Sequence, residues 1–142
     1  MSARQGRHAE ALAHDQRALE LFRAAGHRSG EANALNAIGW DHAQLGEYAR
    51  ALTCCEQAIP LLEELGDRSG QAYTWDSLGY AHHHLGHHAE ALTCYRRALD
   101  LFRDLGDRYY EATILSHLGD TYLVSQDRDD ATQVRTKLQT LG

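Results

Sequence analysis

The chain has 142 residues, 43% of them hydrophobic and 24% charged, and 14 basic against 20 acidic side chains give a formal net charge of −6. This size and composition fit one ordinary globular domain, and an acidic balance without a Lys/Arg cluster argues against direct nucleic-acid binding. No stretch approaches the ~18 consecutive apolar residues of a membrane span, and the N-terminal segment lacks the apolar core of a secretory signal.

A motif of 40 residues recurs along the chain. It opens as GHRSGEANALNAIG at Gly26, as GDRSGQAYTWDSLG at Gly66 and as GDRYYEATILSHLG at Gly106. Fixed self-similarity at this period predicts a solenoid, in which each unit buries its apolar face against its neighbours. Within one domain, 1–142, we expect the half repeat 6–25, the repeats 26–65 and 66–105, and a last unit 106–142.

Each unit has the pattern of a helical hairpin. Leu35, Ile38 and His42 fall on one helical stripe at steps of three and four. Gly39 lies within this stripe, where its cost to the helix suggests close contact with a neighbouring helix. A glycine after each helical stretch supplies a left-handed end, and Pro60 should kink or divide the helix that contains it. We predict seven helices: 7–25, 29–45, 47–65, 69–85, 87–105, 109–125 and 127–141.

The two ends of the repeat array differ. The half repeat leaves its packing face open, which predicts that the N-terminus is a cut made in a longer protein. The last unit is polar where the register requires small or apolar residues, at Asp129, Asp130, Thr132 and Arg135. This replacement predicts a degenerate C-terminal capping repeat over 106–142 that ends near Gly142.

These residues resemble a known family. The order Trp75, Leu78-Gly79, Leu85-Gly86, Ala91, Tyr95 and Ala98 is similar to the tetratricopeptide repeat pattern. His42 and His82 replace the usual Tyr, and the unit exceeds the commonest length of about 34 residues. The resemblance implies an all-α, right-handed superhelical solenoid of antiparallel helix pairs, in which the first helix of each unit lines a concave groove.

The long unit with its GDR opening resembles the repeats of kinesin light chains, polarity adaptors and actinobacterial signalling proteins. The ending DATQVRTKLQTLG resembles the C-terminal repeat arm of Streptomyces antibiotic regulatory proteins that contain a STAND ATPase. This resemblance implies the non-catalytic sensor or regulatory arm of a larger cytoplasmic transcription regulator, with its ligand a protein, a peptide or another domain of its own parent chain.

The predicted groove face is polar and aromatic once the core stripe is removed. Asn side chains can both donate to and accept from a peptide backbone, and exposed aromatic rings anchor interfaces. No Lys or Arg falls on this face, so capture of a partner's terminal carboxylate is disfavoured. The ligand should be neutral or basic where it meets Asp76 and Asp120. The predicted partner-binding residues are Asn33, Asn36, Trp40, Gln44, Tyr73, Asp76, Ser77, Tyr80, His84, Thr113, Ser116, His117 and Asp120.

Two other functions remain open beside groove binding. The first is an architectural element that self-associates through its open N-terminal edge, with Ala11, Leu12 and Leu19 in contact. The second is a metal- or pH-responsive module built on the segment HHHLGHH, because histidine titrates near neutrality and binds metals. His83 and His87 are four residues apart, as are His84 and His88, but Gly86 should end the helix between the members of each pair. We therefore predict no metal site and no cofactor.

Catalysis is not expected from this sequence. It has no phosphate-binding glycine loop, nucleophile elbow or paired-carboxylate cleft, and a cap or a helix contact accounts for its glycines. Cys54, Cys55 and Cys94 are an odd number with a vicinal pair on a predicted helix, which favours reduced thiols and packing roles. Reduced thiols suit a cytoplasmic location.

Overall fold

The computed structural model describes residues 2–141, without the side chains of Asp127, Asp130, Ala131 and Leu141. These residues form six α-helices, and the all-α fold class is confirmed. Met1 and Gly142, and with them the predicted end at Gly142, lie outside the described residues, as does the predicted capping role of the Asp130 side chain. The helices are α1 (Ala3–Ala25), α2 (Arg28–Gln44), α3 (Tyr48–Glu64), α4 (Arg68–His84), α5 (His88–Leu105) and α6 (Arg108–Leu141).

The helices are arranged as a stack of hairpins. Each helix packs against the next one in the chain, and α2 also packs against α4. Ring contacts between Tyr73 and Tyr110, and a charge pair between Asp76 and His117, connect α4 to α6 in the same way. The first-half helices α2, α4 and α6 therefore form one layer, and α1, α3 and α5 form the other.

Side chains from the GDR and GHR motifs cap the first-half helices. His27 Nδ1 and Asp67 Oδ1 each accept a hydrogen bond of 2.8 Å, from the backbone N–H of Gly30 and Gly70 respectively. Asp107 Oδ1 accepts one of 3.1 Å in the third unit. Each bond satisfies a donor that the first turn of a helix leaves without a partner. With these caps, α2, α4 and α6 each begin one residue before their predicted starts.

Close helix contact depends on glycine in the repeats 26–65 and 66–105, but not in the last unit, where the equivalent Gly119 has nothing within 4 Å. A Cβ added to Gly39 would lie 2.6 Å from Cys55 Sγ, and one added to Gly79 would lie 2.7 Å from the ring of Tyr95. Cys55 and Tyr95 are buried on the second helices of their units. The predicted role of these glycines as contact points is confirmed.

Pro60 does not divide its helix, contrary to one of the two predicted outcomes. α3 runs from Tyr48 to Glu64 with Pro60 inside it. The proline removes the bond to the carbonyl of Glu56, but both residues are on the exposed face of α3. Water can solvate the freed carbonyl there, so a single helix persists.

The predicted break between the sixth and seventh helices is absent. α6 is one helix of 34 residues. Gly46 and Gly86 reverse the chain at the corresponding place in the earlier units, with φ of 80° and 81°. Gln126 occupies that register in the last unit, and a residue with a side chain avoids this left-handed conformation. The chain therefore continues as helix instead of folding back.

Candidate partner-binding groove

A cavity of about 350 Å³ opens on the layer formed by α2, α4 and α6. The first-half helices thus supply its walls, as the family geometry predicts. Five of the predicted groove residues line it, together with two that were not predicted, Ala37 and Tyr110. The lining residues are Asn36, Ala37, Trp40, Tyr73, Asp76, Ser77 and Tyr110.

Aromatic rings continue from this cavity along the groove. The ring centroids of Trp40 and Tyr80 are 5.6 Å apart, which places these register-equivalent side chains side by side. Tyr80 contacts His84 at 4.2 Å, and Tyr48 of α3 stacks on His84 at 4.9 Å. Burial, followed by the neighbouring Tyr48, raises the pKa of the Tyr80 phenol, so it remains a neutral hydrogen-bonding group at physiological pH.

A second, smaller cavity of about 170 Å³ lies further along the same layer. It contains four of the predicted groove residues and three that were not predicted: His83, Tyr95 and Thr121. Nδ1 of His83 is 2.8 Å from Oγ1 of the buried Thr121, a hydrogen bond that joins α4 to α6. The lining residues are Tyr80, His83, His84, Tyr95, His117, Asp120 and Thr121.

The remaining four predicted groove residues line neither cavity. Asn33 and Ser116 are exposed on α2 and α6. The Thr113 hydroxyl donates to the Tyr109 carbonyl at 3.0 Å, so it is used within its own helix. Gln44 lies near Tyr80 and, against the larger increase due to burial, its side chain lowers the pKa of that phenol.

One charge pair joins adjacent units in this groove. Asp76 Oδ1 and His117 Nδ1 lie 3.4 Å apart, and neither atom has a hydrogen-bond partner in the described structure. The Asp76 carboxylate raises the pKa of His117, against burial, which lowers it, and Asp120 adds to the increase. Among the described residues that line the two cavities, the Asp76 carboxylate is thus paired with an imidazole, whose charge depends on pH.

Tyr110 is the most informative of the five lining residues that the sequence pattern did not predict. It occupies the register of Gly30 and Gly70, where an added Cβ would meet Phe22 at 2.2 Å and Leu62 at 2.7 Å. In the third unit the Tyr110 ring instead stacks on Phe102, with centroids 5.0 Å apart and planes at 15°. The departure from glycine in GDRYY was the signal that could have identified it.

The histidine segment does not assemble a cluster of ligands. Among the described side chains, no group of three or more His, Cys, Asp or Glu could hold a metal ion. His82 and His87 face each other with Nδ1 atoms 3.1 Å apart, and His83 lies against His88 at a ring distance of 6.0 Å. Burial and then His87 lower the pKa of His82, and burial followed by His84 and His88 lowers that of His83.

The cysteines are unpaired and, in two cases, buried. Burial raises the pKa of Cys55 to about 12 and that of Cys94 to about 11. The thiolate is the nucleophilic form, so both side chains are poor nucleophiles. The prediction of reduced, packing cysteines agrees with this environment.

The fold and the groove together define an α-helical repeat protein. The family model of the tetratricopeptide repeat matches residues 1–64 and 70–134, and the chain therefore belongs to that family. Tetratricopeptide repeats generally mediate protein–protein interaction and are typically non-catalytic. A comparison with curated proteins found no match.

Within residues 2–141, each helix is too short or too polar to cross a membrane.

Proposed function

We propose that the groove formed by α2, α4 and α6 binds a peptide segment of a partner protein. The supporting observation is the exposure of aromatic side chains around a cavity, since Trp40 is 38% and Tyr73 37% exposed. Aromatic side chains combine large contact area with few rotatable bonds, and they dominate binding energy at interfaces. A continuous aromatic patch on a soluble protein indicates an interaction site.

The larger role that we propose is that of a regulatory arm. The resemblance of the last unit to the repeat arms of Streptomyces regulators supports a cytoplasmic transcription regulator as the parent protein. Binding in the groove would then shift the parent between two states, which requires unequal affinity of the ligand for those states. The ligand is a partner protein or another domain of the parent chain.

Selection from a displayed library of random peptides tests the groove. The selected peptides are synthesised, and their affinities are measured for the wild type, for a Trp40→Ala/Tyr73→Ala double variant and for a Tyr122→Ala control. Tyr122 is 57% exposed on α6 and lines neither groove cavity. Circular dichroism melts establish that all three proteins are folded.

Groove binding requires that the double variant lose at least about tenfold in affinity, while the control binds like the wild type. Equal affinity for wild type and double variant contradicts the proposal. It is equally contradicted if no peptide is enriched on the wild type over the double variant.

Self-association through α1 is a second candidate, favoured by the observation that α1 has no fully buried residue among those described. Leu21 is 54% exposed, although Leu19 already packs against the core cluster of Ala32 and Leu35. Light scattering over a concentration series tests it. A dimer that a Leu12→Gln/Leu21→Gln variant abolishes supports this role, and a concentration-independent monomer contradicts it.

A further inference from the structure

The groove cavity contains hydrogen-bond acceptors without donors. Oδ1 of Asn36 and Oδ1 of Asp76 are both buried, and neither has a hydrogen-bond partner in the described structure. Both residues line the cavity. An unsatisfied buried acceptor costs about 1–3 kcal/mol, and the terminal torsions of Asn and Asp are broad. A donor that enters the cavity can therefore be met by a small rotation of either side chain.

The chain itself offers these acceptors one partner short of a hydrogen bond, since His117 Nδ1 lies 3.4 Å from Asp76 Oδ1. The hydroxyl of Ser77 already donates to the Tyr73 carbonyl at 3.2 Å. The cavity lining includes no Lys, Arg or His among the described residues, and its one ionisable acid is Asp76. Since the chain also has a net charge of −6, the electrostatic potential in the groove favours a cationic ligand group.

The aromatic walls favour the same kind of ligand. Tyr73 and Tyr110 meet edge to face, with centroids 5.0 Å apart and planes at 85°, and Trp40 lines the same cavity. Phe102 contacts both tyrosine rings and holds them in place. The faces of such rings attract cations within about 6 Å.

Arginine fits these features better than lysine does. Its guanidinium is planar, stacks on aromatic rings and presents five donors in a fixed arrangement, whereas a lysine ammonium is a strongly hydrated point charge. The chain already contains one such contact, because the guanidinium carbon of Arg97 lies 4.8 Å from the centre of the Trp75 ring.

We propose that the cavity between α2, α4 and α6 receives an arginine side chain of the partner polypeptide, which stacks on the aromatic walls and donates to Asp76 and Asn36. This inference rests on the proposed groove function and specifies the side chain that the groove selects. Asp76 supplies the charge that neutralises the guanidinium, and Asn36 supplies a neutral acceptor beside it.

The test uses the peptides selected on the wild-type protein. Each peptide that contains arginine is resynthesised with citrulline, its neutral near-isostere, or with lysine at that position. Affinities are measured by the fluorescence of Trp40 in a Trp75→Phe background, so that the signal comes from the cavity itself. The proteins compared are this background, its Asp76→Asn variant and its Asp100→Asn variant, the last of which changes an exposed carboxylate on α5 outside the cavity lining.

Arginine recognition requires enrichment of arginine in the selected peptides. It also requires a loss of about tenfold or more with citrulline, a smaller loss with lysine, a loss of about tenfold with Asp76→Asn, and no change with Asp100→Asn. Peptides that bind through Trp40 and Tyr73 without arginine, or that tolerate citrulline and Asp76→Asn, would overturn the inference and leave groove binding intact. Failure of the Trp40→Ala/Tyr73→Ala comparison would instead remove groove binding itself.

Discussion

Nδ1 of His117 on α6 lies 3.4 Å from Oδ1 of Asp76 on α4, so one charge pair joins the second and third units at the groove. The carboxylate raises the pKa of the imidazole above its ordinary 6.5. A raised pKa in the folded state means that the pair stabilises the fold fully below pH 6.5 and loses this contribution as the pH rises through the pKa of His117.

Replacing Asp76 should reveal this linkage. We expect Asp76→Asn to lower the pKa of His117, measured by NMR of the imidazole C–H groups with His117→Gln for assignment. Because His117 is 34% exposed, solvent screening limits the stability contribution to less than about 1 kcal/mol. This loss should be larger at acidic than at alkaline pH. The same pKa in wild type and Asp76→Asn would contradict the pairing, and Asp100→Asn is the control that should leave it unchanged.

Two glycines in one register should respond in opposite directions to alanine. Gly79→Ala places a Cβ 2.7 Å from the ring of Tyr95, which is 2% exposed and cannot move aside freely. We expect a loss of about 1–3 kcal/mol. Gly119 has nothing within 4 Å, so Gly119→Ala should raise stability by up to about 1 kcal/mol through helix propensity. Urea unfolding measures both, and changes of the same sign would contradict the packing described.

Asp41 should weaken the fold as the pH rises. It is 5% exposed, its Oδ2 has no hydrogen-bond partner in the described structure, and His8 Nδ1 is 4.0 Å from its Oδ1. Burial and then Asp15 raise its pKa from 3.8 to about 7. Stability due to the protonated form is therefore present below pH 3.8 and is lost as the pH rises through about 7.

The Asp41→Asn variant tests the direction of this pH dependence of stability. It should increase the free energy of unfolding by about 1–3 kcal/mol above neutrality, because the amide needs no charge desolvation. The gain should shrink toward acidic pH, as followed by urea unfolding across the range. A gain independent of pH, or a destabilisation above neutrality, would show that Asp41 is ionised at little cost.

The three thiols should react in a defined order. Burial raises the pKa of each, that of Cys55 to about 12, while Cys54 is only half-buried. In a thiol-labelling assay at about pH 8, we expect Cys54 to react first in the native protein, and Cys55 and Cys94 only when the protein unfolds. Cys54→Ser should abolish the native-state reaction. Equal labelling rates for the three would contradict the burial pattern.

The repeat pattern was sufficient to predict most helix boundaries, because each depends on a local signal. Gly26 and Gly66 end their helices in the left-handed region, and the capping side chains of His27 and Asp67 begin the next ones. The period also places Trp40 and Tyr80 in one register on the predicted groove face, and their rings are neighbours in space. A residue that matches its register equivalents inherits their environment, so these positions could be read directly.

Positions that depart from the register were not predictable in the same way. Tyr110 replaces a glycine, and Asp41 lies where the later units have Ala81 and Thr121. The repeat predicts where such side chains lie but not what they contact, because their partners Phe102, Asp15 and His8 must be known in three dimensions. The break expected at residue 126 failed for the same reason, since Gln126 differs from Gly46 and Gly86.

The uninterrupted α6 extends far beyond the part of it that forms the groove. At 1.5 Å per residue its 34 residues extend for about 50 Å, with Tyr110 and His117 in the N-terminal part that forms the groove. A tilt of about 5° at the groove end would displace the opposite end by about 4 Å. Any change in the tilt of α6 at the groove would thus be largest at the opposite end of the same helix.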